Sequence, residues 1–67
     1  MSSYGALALE FGYSLKLKVL HSHAGFYIGT LDEDGSPFSR ESNEYFHTLK
    51  EAEIALATDS WTQKEAP

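Results

Sequence analysis

The residues able to do chemistry sit in three places. His21 and His23 stand two apart, so an extended backbone would carry both imidazoles to one side, as two ligands of a metal ion require. A third ligand, His47 or a carboxylate, is specified by no spacing in the sequence, and a solvated histidine loop is the better reading. Asp32-Glu33-Asp34-Gly35 opens like a calcium loop, but that loop needs acids at positions one, three and five with glycine at six. Here glycine comes fourth, and Asp-Gly before Pro37 reads as a hairpin turn. Serines, histidines and acids all occur, yet no serine lies in a Gly-x-Ser-x-Gly elbow. No glycine-rich phosphate loop is present either. The expectation is therefore a chain with no catalytic residue, no cofactor and no metal, His21 and His23 being the sole metal candidates.

The elements that position these residues follow from periodicity. Tyr13, Leu15, Leu17 and Val19 alternate with Ser14, Lys16 and Lys18, the period-two pattern of a half-buried strand. Ahead of it, Ala6–Phe11 also places Leu7, Leu9 and Phe11 on one face. It is read as a first strand, because Gly5 and Gly12 bracket it too closely for a stable helix; helix and arm are the alternatives. His21–Gly25 is a loop, and Phe26–Leu31, rich in aromatic and β-branched residues, is the next strand. Gly29 inside it signals a bulge or a close approach by a neighbour. Phe38–Phe46 is a polar edge strand broken near Ser42-Asn43. Thr48 and Glu51 have capping-box spacing, and Leu49, Ala52, Ala55 and Leu56 form the stripe of an amphipathic helix that ends at Thr58-Asp59-Ser60. Trp61 is expected to fold back over the core as a lid, and residues 1–3 and 63–67 are expected to be disordered. The fold class is α+β: an antiparallel three- to four-stranded meander with one C-terminal helix on one face.

Sixty-seven residues make one small domain, residues 1–67, and a chain this short buries only about 60% of the surface that it exposes when unfolded. A second copy is an obvious source of further burial, so a homodimer is expected. The sheet face away from the helix, with Leu20, Tyr27 and Leu31, needs a cover from that copy or from Trp61 and the N-terminal segment. There are no cysteines, so packing alone must hold the fold. No apolar run reaches the roughly 18 residues of a membrane span, and no base precedes the apolar stretch near the N-terminus as in a signal peptide. A cytoplasmic location, without membrane association, is the expectation.

Charge is regional. Glu10 against Lys16 and Lys18 leaves residues 1–30 at a net +1, whereas residues 31–60 carry eight acids against Arg40 and Lys50, a net −6. Phosphate backbones are gripped by basic faces, so nucleic acid is disfavoured and a basic protein patch is the fitting partner.

The succession Gly25-Phe26-Tyr27-Ile28-Gly29-Thr30, then Asp-Gly, then Tyr45-Phe46-x-Thr48-x-x-Glu51-Ala52-Glu53-x-Ala55-Leu56 resembles small uncharacterised bacterial and phage-type proteins. That resemblance implies no activity. More loosely, residues 26–56 are similar to the arm-type β-β-β-α DNA-binding domains of phage integrases, which lay a three-stranded sheet into a DNA groove. The sequence thus points first to a non-enzymatic protein-binding module of phage or plasmid type, presenting Asp32, Glu33, Asp34, Glu41 and Glu44 to a basic partner. The alternative is a nucleic-acid-binding accessory domain that uses Lys16, Lys18, Tyr27 and Arg40 on the open sheet face.

Overall fold

In the computed structural model, which describes residues 4–65, three antiparallel strands form one meander sheet in the order β1-β2-β3, flanked by two helices. In chain order these are α1 (Ala6–Glu10), β1 (Lys18–Ser22), β2 (Gly25–Leu31), β3 (Pro37–Arg40) and α2 (Leu49–Thr58). The α+β meander with a C-terminal helix is thus as expected. Residues 1–3, 66 and 67, part of the expected disordered termini, lie outside the described residues. Gln63 and Lys64 are half-buried instead, hydrogen-bonded to Glu41.

Three differences from the sequence reading have local causes. The first concerns β1, which starts at Lys18 instead of Tyr13. The alternation itself is real, since Leu15, Leu17 and Val19 are half-buried while Ser14, Lys16 and Lys18 are exposed. The upstream part, however, pairs with the N-terminal segment, Tyr4 bridging Lys16 and Gly5 N–H donating to Leu15 C=O at 2.8 Å. The second difference is that His21 and Ser22 belong to β1. A two-residue turn, His23-Ala24, closes the hairpin with Ser22 opposite Gly25. Gly25 takes a φ of 133°, and a Cβ there would stand 2.9 Å from the Phe46 carbonyl oxygen. Third, β3 stops at Arg40, because Glu41 and Ser42 both turn their N–H groups to Ile28 C=O, at 2.8 and 2.9 Å. Phe46 rejoins the sheet through a single two-way bridge to Phe26.

Residues 6–10 are helical, not a strand. Alanine and leucine favour helix, and the obstacle of a short, uncapped segment is removed from a distance. Gly5 supplies no side-chain cap, but the Glu41 carboxylate accepts from Leu7 N–H at 2.9 Å and Ala8 N–H at 3.2 Å. A remote acid therefore does the capping.

α2 is built as its sequence specifies. Thr48 Oγ1 accepts from Glu51 N–H at 3.1 Å, and Thr58 Oγ1 donates to Ile54 C=O near the C-terminal end. The Glu51 carboxylate answers the Thr48 hydroxyl at 3.3 Å. Asp59 ends the helix in the left-handed region at φ 55°. Ala52 and Ala55 are buried against the sheet, and their small size lets the helix axis approach β1 and β2 closely. Losing the cap in Thr48→Ala is expected to cost about 1 kcal/mol, which a thermal melt reads as a fall of roughly 4–8 °C.

The core consists of Leu7, Ala8, Ile28, Ala52 and Ala55, with Tyr27 at 8% exposure on the opposite sheet face. That second face is covered from within the chain. The Tyr27 ring meets Tyr45 edge-on at 6.0 Å, and the Arg40 guanidinium lies 4.7 Å from the Tyr45 ring centre. Leu20 and Leu31 are half-buried, as is Trp61. Among the described residues no helix is long and apolar enough to cross a membrane.

Candidate partner-binding site

The acidic turn is first a piece of backbone chemistry. Asp32 Oδ1 accepts from the N–H groups of Asp34 and Ser36, both at 2.9 Å. Gly35, at φ 83°, completes the turn and donates to Asp32 C=O at 3.0 Å. Asp32 is thereby spent on holding the loop. Glu33 and Asp34 are left exposed.

Just after this turn the register between β2 and β3 shifts, an irregularity that re-aims the side chain it contains. That side chain is Phe38. It meets the Tyr13 ring at 5.0 Å and the Phe11 ring at 6.2 Å, both edge-to-face. Phe11 and Tyr13 come from the return of the chain after α1, where Gly12 at φ 87° reverses direction and Tyr13 N–H donates to Ala8 C=O at 3.0 Å. These contacts leave a groove of about 320 Å³ lined by Tyr13, Leu15, Phe38, Asp32, Glu33 and Asp34. One wall is aromatic and the rim is acidic. Phe11 and Tyr13 remain 59% and 54% exposed, more apolar surface than internal packing requires.

Of the five acids expected on the binding surface, Glu41 is not there. It is fully buried, and its carboxylate accepts from Leu7 N–H, Ala8 N–H, Ser39 Oγ at 2.6 Å and Gln63 Nε2 at 2.8 Å. A buried carboxylate must find such donors. Burial alone would raise its pKa, but the donors from Leu7, Ser39, Gln63 and Ala8 together hold it below the ordinary carboxylate value. Glu41 thus acts beneath the site, fixing the helix from which Phe11 and Tyr13 emerge. Glu44 is half-buried and accepts Thr62 N–H on both oxygens at 3.0 Å. Burial pushes its pKa up, and the Thr62 bonds more than offset that, leaving it lowered. Its role is to tether the segment after α2.

Of the four residues of the alternative nucleic-acid face, Lys18, Tyr27 and Arg40 share one sheet face, Lys18 and Arg40 on either side of Gly29, but they do not all stand open there. Lys16 and Lys18 are exposed, Tyr27 is buried, and half-buried Arg40 is engaged with the Tyr45 ring and hydroxyl. Burial is the main reason that the Tyr27 hydroxyl is raised above its usual pKa; Tyr45 adds to it and Arg40 opposes it. His21 and His23 line one shallow cavity with Ser22. His21 lies in β1, its ring stacked on Phe26 at 4.2 Å, while His23 sits in the turn. The extended backbone that would align them is absent, and among the described residues no group of three His, Cys, Asp or Glu is placed to hold a metal ion.

Sequence reasoning missed Phe11, Tyr13 and Phe38 as a unit. Pro37-Phe38 directly after an acidic turn was the available signal, an apolar ring beside a residue that weakens regular pairing. Compared with family models, curated proteins and solved structures, the chain matches none.

Proposed function

We propose that this chain is a non-enzymatic protein-binding module, working as a homodimer, whose receiving surface is the acid-rimmed aromatic groove. The partner is a protein segment with basic side chains around an apolar anchor. One observation carries the reading: Glu33 and Asp34 stand on the rim of a groove whose wall is Tyr13 and Phe38. The carboxylates attract and orient a basic segment. The rings supply the anchor energy, by apolar burial and by the attraction of a cation to an aromatic face. The Asp32 turn and the Glu41-held helix fix the two sides of the groove, so little order remains to be lost on binding.

Fluorescence anisotropy with a labelled peptide of alternating lysine and leucine tests this, against the same peptide with glutamate for lysine and against duplex DNA. The basic peptide is expected to bind, and more weakly as salt rises. Phe38→Ala should raise its Kd on the order of tenfold, and Glu33→Gln with Asp34→Asn roughly threefold to tenfold. Equal binding of the acidic peptide, or an affinity indifferent to all of these changes, would sink the reading.

A further inference from the structure

We infer that the outer edge of β1, with the groove between β1 and α2, is the seam along which two copies of this chain join. The inference rests on the self-association proposed above and gives it a place. In an antiparallel ladder, residues alternate between pairs that exchange both backbone bonds and pairs that exchange none. Phe26 spends its N–H and C=O on Phe46, at 2.9 and 2.7 Å, and Ile28 C=O accepts from Glu41 and Ser42. Both residues therefore turn their peptide groups away from β1. Their partners across the ladder, His21 and Val19, are the non-bonded pairs, and their own N–H and C=O groups face outward. Among the described residues no other backbone group bonds them, since the Tyr4-Gly5 segment reaches only Leu15 and Lys16 upstream. No proline or bulge blunts this edge, and such an edge is a template for another strand.

Beside the edge runs a groove of about 470 Å³ lined by Val19, Leu49, Leu56 and Ala57, with Lys18 on the strand side and Glu53 on the helix side. Leu49 is 48% exposed. The occupant that these features fit is a second copy. Two β1 strands related by a two-fold axis run antiparallel and satisfy one another's Val19 and His21 groups. The same axis keeps both helices on one face of the joined sheet, so that the Val19, Leu49 and Leu56 surfaces of the two copies flank the seam. Apolar Leu49 and Leu56 then gain the cover that a chain of this size cannot supply alone.

Sedimentation equilibrium of the full chain, with circular dichroism to confirm folding, tests the seam. Wild type is expected to dimerise. Leu49→Asp places a charge in the apolar cover beside the seam, at a position 48% exposed in the single chain, and should raise the dimer Kd on the order of tenfold. His21→Pro removes an outward N–H that β2 does not use, and should give a folded monomer. A wild-type chain that stays monomeric at all concentrations overturns the self-association itself. A wild-type dimer that folded Leu49→Asp does not weaken, or with folded His21→Pro still dimeric, overturns the seam alone.

Discussion

Glu41→Ala is expected to leave the domain largely unfolded at 25 °C. The substitution strips the acceptor from Leu7 N–H, Ala8 N–H, Ser39 Oγ and Gln63 Nε2, in a place where Glu41 has no exposed surface. Each buried donor left unsatisfied costs about 1–3 kcal/mol. A chain of this length has a total stability of roughly 3–10 kcal/mol, so two or three orphaned donors consume much of it. Urea unfolding followed by circular dichroism reads the loss. Glu41→Gln keeps the shape and one acceptor oxygen, and should cost about 1–3 kcal/mol. The pair also carries a pH signature. The Glu41 pKa is lowered on folding from an ordinary 4.5, so its stabilisation is fully present above that value and is lost as pH falls through the lower folded value. Wild type and Glu41→Gln should therefore converge in stability as the solution is acidified below about pH 4.5. Curves that remain parallel through that range would show that the carboxylate charge contributes nothing.

The same residue shows what was legible beforehand. Local rules carried α2 almost completely: Thr48, Glu51 and the Ala52–Ala55 stripe act through neighbours three or four positions away, and the structure places them accordingly. The Asp32 turn is likewise self-contained. Glu41 failed as a surface acid because its partners are 34 and 33 positions upstream and 22 downstream, and no local pattern encodes that. The fate of Ala6–Glu10 failed with it. Propensity favoured a helix, brevity argued against one, and a distant carboxylate decided. The candidate site was legible by halves. Glu33 and Asp34 stood out as charge, whereas Phe11 and Tyr13 lie on one stretch and Phe38 on another, and they meet only because Gly12 and the β2–β3 register shift turn them towards one another.

Gly29→Ala is expected to destabilise the domain by about 1–3 kcal/mol, and the sign of the effect is informative. Gly29 does not have the positive φ of Gly12, Gly25 and Gly35, so alanine is conformationally permitted there. On backbone entropy alone it would stabilise by about 0.4–1 kcal/mol. Against that stands a steric conflict, since a Cβ at Gly29 would run into the Ser39 carbonyl oxygen and meet Tyr27 Cε2 at 3.0 Å. The Ser39 oxygen belongs to the backbone of β3, so the only relief is to move the two strands apart. Ser39 Oγ also bonds Thr30 Oγ1 and the Glu41 carboxylate, both at 2.6 Å, so a displaced β3 pulls on the carboxylate that holds α1. Phe38, next to Ser39, moves with it, and its contacts with Phe11 and Tyr13 loosen. A single added methyl group should thus lower the urea midpoint and weaken the basic peptide together. A variant more stable than wild type would show that β3 yields freely at Ser39, and the rigid wall assigned to the groove would then lose its support.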